Sequence, residues 1–348
     1  MAIGAQHLCV LLFTLSPMAM AQQAQGTACR VIASDALRLA CYDNAANRTA
    51  DPGTAESPQH AESSPGTESV IRASTDGDSL IDRRWEVEPE SKLGIFQMRA
   101  YKPVYILPAF WASETNDQPS SPNPNNTATE AQPLDSVEAK FQLSFKIKLL
   151  ENVASDNLDI WLGYTQSSRW QAYNSDISRP FRETNYEPEL IAAIRPPAFE
   201  VAGWTARLAS VSLNHQSNGR SDPLSRSWNR VILSAGFDRP NWAVLIRPWF
   251  RIDEDLVDDN NPDIEDFMGR GDASIVYTKN GHELSLTGRH SLRGGDRSHG
   301  SVQLNWAFPI RRGLNGHVQV FNGYGESLID YNHKATYVGM GVSLLEWF

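Results

Sequence analysis

Between residue 95 and the C terminus, apolar and polar residues alternate with a period of two through segments of roughly ten residues, separated by clusters of Gly, Asn, Asp and Pro. Side chains on an extended strand point alternately to opposite faces, so each segment reads as a strand with one apolar and one polar face. The pattern predicts strands near 97–111, 137–150, 158–169, 186–196, 203–217, 228–238, 241–252, 271–279, 282–292, 299–310, 316–323 and 335–348. No apolar run approaches the ~18 residues of a spanning helix. About twelve strands is an even number, as single-chain outer-membrane barrels require. The expected fold class is therefore all-β, a transmembrane antiparallel β-barrel over 95–348 preceded by a short N-terminal periplasmic extension.

The connections alternate in length. Short links fall at ENVASDN, RPPAFEVAG, DRPN, KNGH and RRGLNG, and longer ones at 112–136, 170–185, 218–227, 253–270 and 324–334. Short turns at one rim and long loops at the other distinguish the periplasmic end of a barrel from its outer end, which puts both termini on the periplasmic side. Trp161, Trp170, Trp204, Trp228, Trp242, Trp249, Trp306 and Trp347 lie near predicted strand ends, where an aromatic girdle meets lipid headgroups. The last residues, VGMGVSLLEWF, end in Phe348, resembling the terminal strand signal of outer-membrane barrels. A soluble β-sandwich explains neither the loop asymmetry nor that ending.

Composition changes the picture mainly at the N terminus. Residues 1–21 carry the apolar run LCVLLFTL and end in Ala19-Met20-Ala21, the form of a secretory signal peptide, although His7 is the only basic side chain before the run. Cys9 falls inside that segment. The remaining pair, Cys29 and Cys41, reads as a disulfide of an exported segment spanning 22–44, and zinc would need further ligands that are not nearby. Residues 45–94 include NRTADPGTAESPQHAESSPGTES, almost without large apolar residues, and read as a disordered linker. A formal net charge of −10 over 348 residues argues against nucleic acid as a partner.

Candidate chemistry emerges where the two faces of a strand are separated. In RLASVSLNHQS, Ala209, Val211 and Leu213 share a face with His215 and Ser217, while Ser210, Ser212, Asn214 and Gln216 share the other. The apolar face of a membrane barrel meets lipid, so His215 and Ser217 project toward the membrane at its edge. On the next strand Asn229 heads the face of Val231, Leu233, Ala235 and Phe237. A hairpin loop over 218–228 brings Asn229 to the level of His215. Unpaired polar groups on an apolar wall are costly, and these three can satisfy one another in one order. Asn229 accepts from one ring N–H of His215, and the other ring nitrogen accepts from the Ser217 hydroxyl. That is a nucleophile, a base and a neutral orienting group. A carboxylate facing acyl chains would carry a heavier desolvation cost. The neutral amide stabilises the imidazolium less, so the site calls for another positive element.

The stretch NHQSNGRSDPLSRSWNR at 214–230, together with YTQSSRWQ at 164–171, SRPFRETNYEP at 178–188 and GYGESLIDYN at 323–332, resembles the outer-membrane phospholipase A family. The resemblance covers nearly the whole of 95–348, and its His-x-Ser-Asn-Gly-Arg-Ser-Asp-Pro motif is highly specific. It implies a bacterial outer-membrane serine hydrolase of phospholipid and lysophospholipid acyl esters, of A1 and A2 type, dependent on calcium and on formation of a homodimer. Carried over by position, Ser217 is the nucleophile, His215 the base and Asn229 the orienting amide. Calcium, one ion per active site and two per dimer, would be held by the Arg220 carbonyl and Ser225 of one chain and by Ser178 of its partner. These are hard oxygen ligands of the kind Ca²⁺ prefers. The backbone N–H groups around Gly219, with the cation, would stabilise the oxyanion. Asp222 matches a calcium-associated position of the monomeric form, and Gln166 a polar residue within the apolar dimer face; Asn260 stands where a further acidic residue would align.

Other features are blander. His282, His290, His299, His317 and His333 show no metal-ligand spacing, the acidic run DEDLVDDNNPDIED at 253–266 reads as a solvated outer loop, and no Gly-x-Ser-x-Gly elbow is present. The competing class is a non-catalytic transport or structural barrel, but about twelve strands leave a lumen that side chains fill.

Overall fold

Fourteen strands occur among the described residues. They are β1 (Met98–Ala100), β2 (Val104–Ala112), β3 (Val137–Ala154), β4 (Leu158–Trp170), β5 (Phe181–Ile194), β6 (Glu200–Val201), β7 (Trp204–Ser217), β8 (Ser227–Arg239), β9 (Trp242–Ile252), β10 (Gly271–Lys279), β11 (His282–His290), β12 (Gly300–Arg311), β13 (Leu314–Tyr324) and β14 (Lys334–Leu345). The computed structural model describes residues 78–154, 157–255 and 257–348, with Ser34, Arg38 and Cys41. Twelve strands pair antiparallel in the order β3-β2-β14-β13-β12-β11-β10-β9-β8-β7-β5-β4, and a β3–β4 ladder closes the ring. Closure leaves no strand edge unpaired, the condition for a sheet in lipid. The chain divides into two compact units, Met1–Pro65 and Gly66–Phe348. In the first, Cys41 is disulfide-bonded, whereas Cys29, the segment 1–21 and residues 45–77 lie outside the described residues.

The expected first strand is split. Tyr101, Lys102 and Pro103 interrupt it, so β1 and β2 pair in series along one edge of the 18-residue β3. Pro103 has no N–H to give the ladder. Two-residue turns at 240–241, 280–281 and 312–313, with 195–203, occupy one rim. The other rim carries 113–136, 171–180, 218–226, 253–270, 291–299 and 325–333. The loop expected over 170–185 is shorter because β5 begins at Phe181, and 291–299 belongs with the long loops.

The outward face is apolar along every ladder: Leu143, Leu162, Leu190, Leu213, Leu233, Ile246, Leu286, Leu304 and Val338 are all exposed. The tryptophan girdle needs correction. Trp170 and Trp306 are exposed on that face, but Trp161 and Trp228 are fully buried and Trp249 nearly so. Nearness to a strand end did not reveal which phase these rings occupy; on β4, Trp161 shares the inward phase of Asp159 and Thr165.

The lumen is filled. At the short-turn rim, helix α1 (Leu80–Trp85) is N-capped by Ser79, whose hydroxyl accepts from Asp82 N and donates to Asp238. Leu80, Ile81 and Trp85 pack with Trp161, Ile191, Leu208 and Leu245, and Trp347 and Phe348 lie against the same cluster. Residues 78–94, expected as part of a disordered linker, are ordered instead: LIDRRWEVEPE carries enough apolar surface to order itself inside the barrel. The terminal residues likewise turn inward, Trp347 N and Phe348 N donating to Glu283.

Charged side chains fill the rest. Lys140 and Arg169 meet Glu326 at 2.6 and 2.8 Å, and Arg182 bridges Glu138 and Asp330 at 2.9 Å each. The residual cavity is about 210 Å³ and is lined by Lys140, Arg169, Arg230 and Arg289 among others. Burial alone would raise the Glu326 carboxyl, but Arg169 and Lys140 outweigh it and hold it down to about 2. A depressed folded value means stabilisation that is present above the ordinary carboxylate range and lost only as pH falls through about 2. Glu326→Ala should leave two buried cations unpaired and destabilise the barrel by roughly 3–5 kcal/mol. Urea unfolding in detergent would read this as a lower midpoint; an unchanged midpoint would deny Glu326 that role.

Candidate active site

The site lies where β7 and β8 leave the membrane for the long-loop rim. Their ladder pairs His215 directly with Asn229, and Ser217 with Ser227. On its other side β7 pairs with β5, setting Tyr186 opposite Ser217. Val211 and Leu213 are exposed on the His215 face while Ser212 and Asn214 are buried, so the phase expected from alternation is the one observed. His215 Nδ1 and Asn229 Oδ1 are 2.8 Å apart. The amide oxygen can only accept, so Nδ1 carries the proton and Nε2 keeps its lone pair. Among the described residues no hydrogen bond joins Ser217 to His215; the two stand two residues apart on one face of β7. Such contacts often tighten only with substrate bound.

Beyond Ser217 the loop 218–226 is tied down from within. Asn218, almost fully buried, accepts from Arg220 N and Arg226 N through Oδ1 and donates to Leu224 O and Glu183. Gly219 follows at φ +63°, and a Cβ there would come within 3.1 Å of the Tyr186 ring. The position thus requires glycine on two grounds. The Gly219 N–H has no partner among the described residues, whereas Arg220 N is already engaged by Asn218.

The oxygens expected to hold calcium gather nearby only in part. Ser225 Oγ lies 3.4 Å and Ser227 Oγ 3.1 Å from Asn260 Oδ1, so hydroxyl and amide oxygens cluster beside the loop. Asp222 is exposed and accepts from Asn126 Nδ2 at 2.7 Å, and the same amide reaches the Ser225 carbonyl at 3.3 Å. Ser178 is exposed in the loop 171–180 at φ +59°, followed by Arg179 at +55°, and no hydrogen bond brings it to Ser225 or Asp222. All these donors are hard oxygens and fit Ca²⁺. They are few, and no group of three His, Cys, Asp or Glu suited to a metal occurs among the described residues.

Gln166 projects from β4 on the outward phase, paired with the exposed Leu143 and Tyr186. Its Oε1 accepts from Tyr164 at 3.1 Å, and its Nε2 donates to nothing among the described residues.

Three contributors escaped the reading of the sequence. Asn218 and Asn126 organise the loop, and their signal, an asparagine in a polar loop, is too common to single out. Glu254 is different: it accepts from Asn229 Nδ2 at 2.9 Å. Val244, Ile246, Phe250 and Ile252 set the outward phase of β9, and Glu254 continues it one step past the strand. A polar residue prolonging an apolar phase is the signal that singled out His215 and Ser217.

Comparison with known proteins agrees with this geometry. The family model of phospholipase A1 matches residues 81–344, which takes in the plugging helix. Phospholipase A1 of Escherichia coli K12 is 42% identical over 61% of this chain and 71% of its own length, and that of Proteus vulgaris is 37% identical over 73% and 83%. The crystal structure of a Salmonella typhi outer membrane phospholipase, a dimer with bound calcium, superposes with a TM-score of 0.65 at 35% identity, covering 79% of this chain and 100% of that one. Built on the same closed barrel and matched from its plug to its last strand, this chain belongs to the phospholipase A1 family.

Proposed function

We propose that this chain, a β-barrel phospholipase of the bacterial outer membrane, cleaves acyl esters of phospholipids and lysophospholipids at Ser217, His215 and Asn229. The observation that carries this reading is the outward-facing His215–Asn229 bond of 2.8 Å beside Ser217, on the wall where acyl chains lie. Ser217 Oγ attacks the acyl carbonyl carbon as His215 Nε2 takes its proton, and the carbonyl oxygen becomes an oxyanion facing the Gly219 N–H. Collapse breaks the ester bond, and the leaving alkoxide takes the proton from His215. Water then repeats the sequence on the acyl-enzyme and releases fatty acid and free Ser217.

Asn229 holds the ring and offsets part of its developing charge. The Arg220 carbonyl and Ser225, with Ser178 of a second copy, would hold calcium, which would supply positive charge near the oxyanion; Asp222 is a further ligand candidate. A dimer of the kind solved for the Salmonella typhi protein would give the unpaired Gln166 amide a partner. Fatty acid release from mixed micelles containing calcium tests the roles. His215→Ala should lose roughly 10⁴-fold in kcat, because the proton carrier is gone in both steps. Asn229→Ala should lose roughly 10- to 100-fold, since it only orients. Equal losses would argue against the division of roles.

A further inference from the structure

Asn229 stands between two partners, and only one belongs to the triad. We infer that Glu254 is a positioning residue that selects the working tautomer of His215, an inference that rests on the esterase reading above. The ladders set His215, Asn229 and Ile252 on one row across β7, β8 and β9. Glu254 lies two residues beyond Ile252, on the same phase and half-buried, and reaches back diagonally to Asn229 Nδ2 at 2.9 Å. Diagonal neighbours of this kind are about 7–8 Å apart at the backbone, within reach of a long side chain.

The chemistry follows from what each group can donate. A side-chain amide can present either its oxygen or its NH₂ to an imidazole, and nothing in the His–Asn pair alone decides which. With the oxygen turned inward, His215 holds its proton on Nδ1 and offers Nε2 to the serine. With the NH₂ turned inward, Nδ1 must accept, the proton moves to Nε2, and the ring can no longer take the proton of Ser217. Glu254 breaks the tie. A carboxylate only accepts, so it binds the NH₂ and leaves Oδ1 for the ring. It also places negative charge one amide away from the imidazolium, polarising the chain Glu254–Asn229–His215. A carboxylate directly on the ring would have to face lipid; here it sits in the loop at the rim.

The test is a double-mutant cycle in calcium-saturated mixed micelles, measuring kcat, KM and the calcium concentration for half-maximal rate. Glu254→Ala should lower kcat about tenfold, the worth of one charge-assisted hydrogen bond, with KM and calcium dependence unchanged. Glu254→Gln should fall between, because its amide can accept from Asn229 but can also turn and donate to it. Adding Glu254→Ala to Asn229→Ala should change kcat by no more than about twofold, the scatter of independent sites. A residue that merely packs the loop would impose the same penalty with or without Asn229, and that additivity would overturn the inference. So would wild-type kcat in Glu254→Ala. Ser217→Ala run alongside separates the two levels: if it stays active, the esterase assignment itself fails. If it is dead while the cycle is additive, only the role of Glu254 falls.

Discussion

Ser217→Ala is expected to lower kcat for fatty acid release by about 10⁴-fold or more, since no covalent route survives loss of the attacking oxygen. The barrel should remain folded, because the Ser217 hydroxyl makes no hydrogen bond among the described residues and its removal leaves none unpaired. The register sharpens the prediction by exposing a rival. Ser227 shares the face of Asn229 two residues on, and the register makes it the direct ladder partner of Ser217, which the face pattern of single strands does not disclose. Its hydroxyl, however, already donates to Asn260 Oδ1 at 3.1 Å, and it stands diagonal to His215 rather than on the same strand. Ser227→Ala should therefore keep most of the activity that Ser217→Ala loses. The reverse result in micelles of one phospholipid would move the nucleophile to Ser227.

Much of this was legible in the sequence, for a definite physical reason. In a barrel the same period-two rule governs every strand, so the strand number, the alternating loop lengths and the outward phase of His215, Ser217 and Asn229 follow from counting. Nearness to strand ends suggests a girdle for Trp161 and Trp228, although their phase, shared with Asp159 and with Arg230, turns them inward. The rule fails where a contact joins elements distant in sequence. Helix α1 has a short signal, a capping serine before LIDRRW, and its partners Leu208 and Leu245 lie over a hundred residues away. Glu254 was hidden differently. It lies in an acidic run that reads as a solvated loop, and only the β8–β9 register brings it to Asn229.

Removal of calcium is expected to silence the enzyme by at least about 100-fold, the scale of losing an oxyanion donor, without unfolding the barrel. The two halves of that outcome have separate causes. Stability resides in the closed ladder and in luminal ion pairs such as Lys140–Glu326, none of which involves the oxygens around Ser225. On the proposed ligand set activity depends on those oxygens, and a single chain would offer too few. Asn260 and Ser225 supply neutral donors, Asp222 is held aside by Asn126, and Ser178 makes no contact with them. A second barrel pressed against the outward face around Gln166 would add its own Ser178 and form a cleft for acyl chains along the wall. Burying the unpaired Gln166 amide against a partner would favour association by about 1 kcal/mol, enough to bias an equilibrium rather than lock it. Turnover should thus rise with protein concentration in detergent and vanish on chelation, and a cross-linked dimer should still require calcium. A calcium-replete monomer, isolated at high detergent and turning over phospholipid at the dimer's rate, would exclude the shared site while leaving Ser217, His215 and Asn229 in their roles.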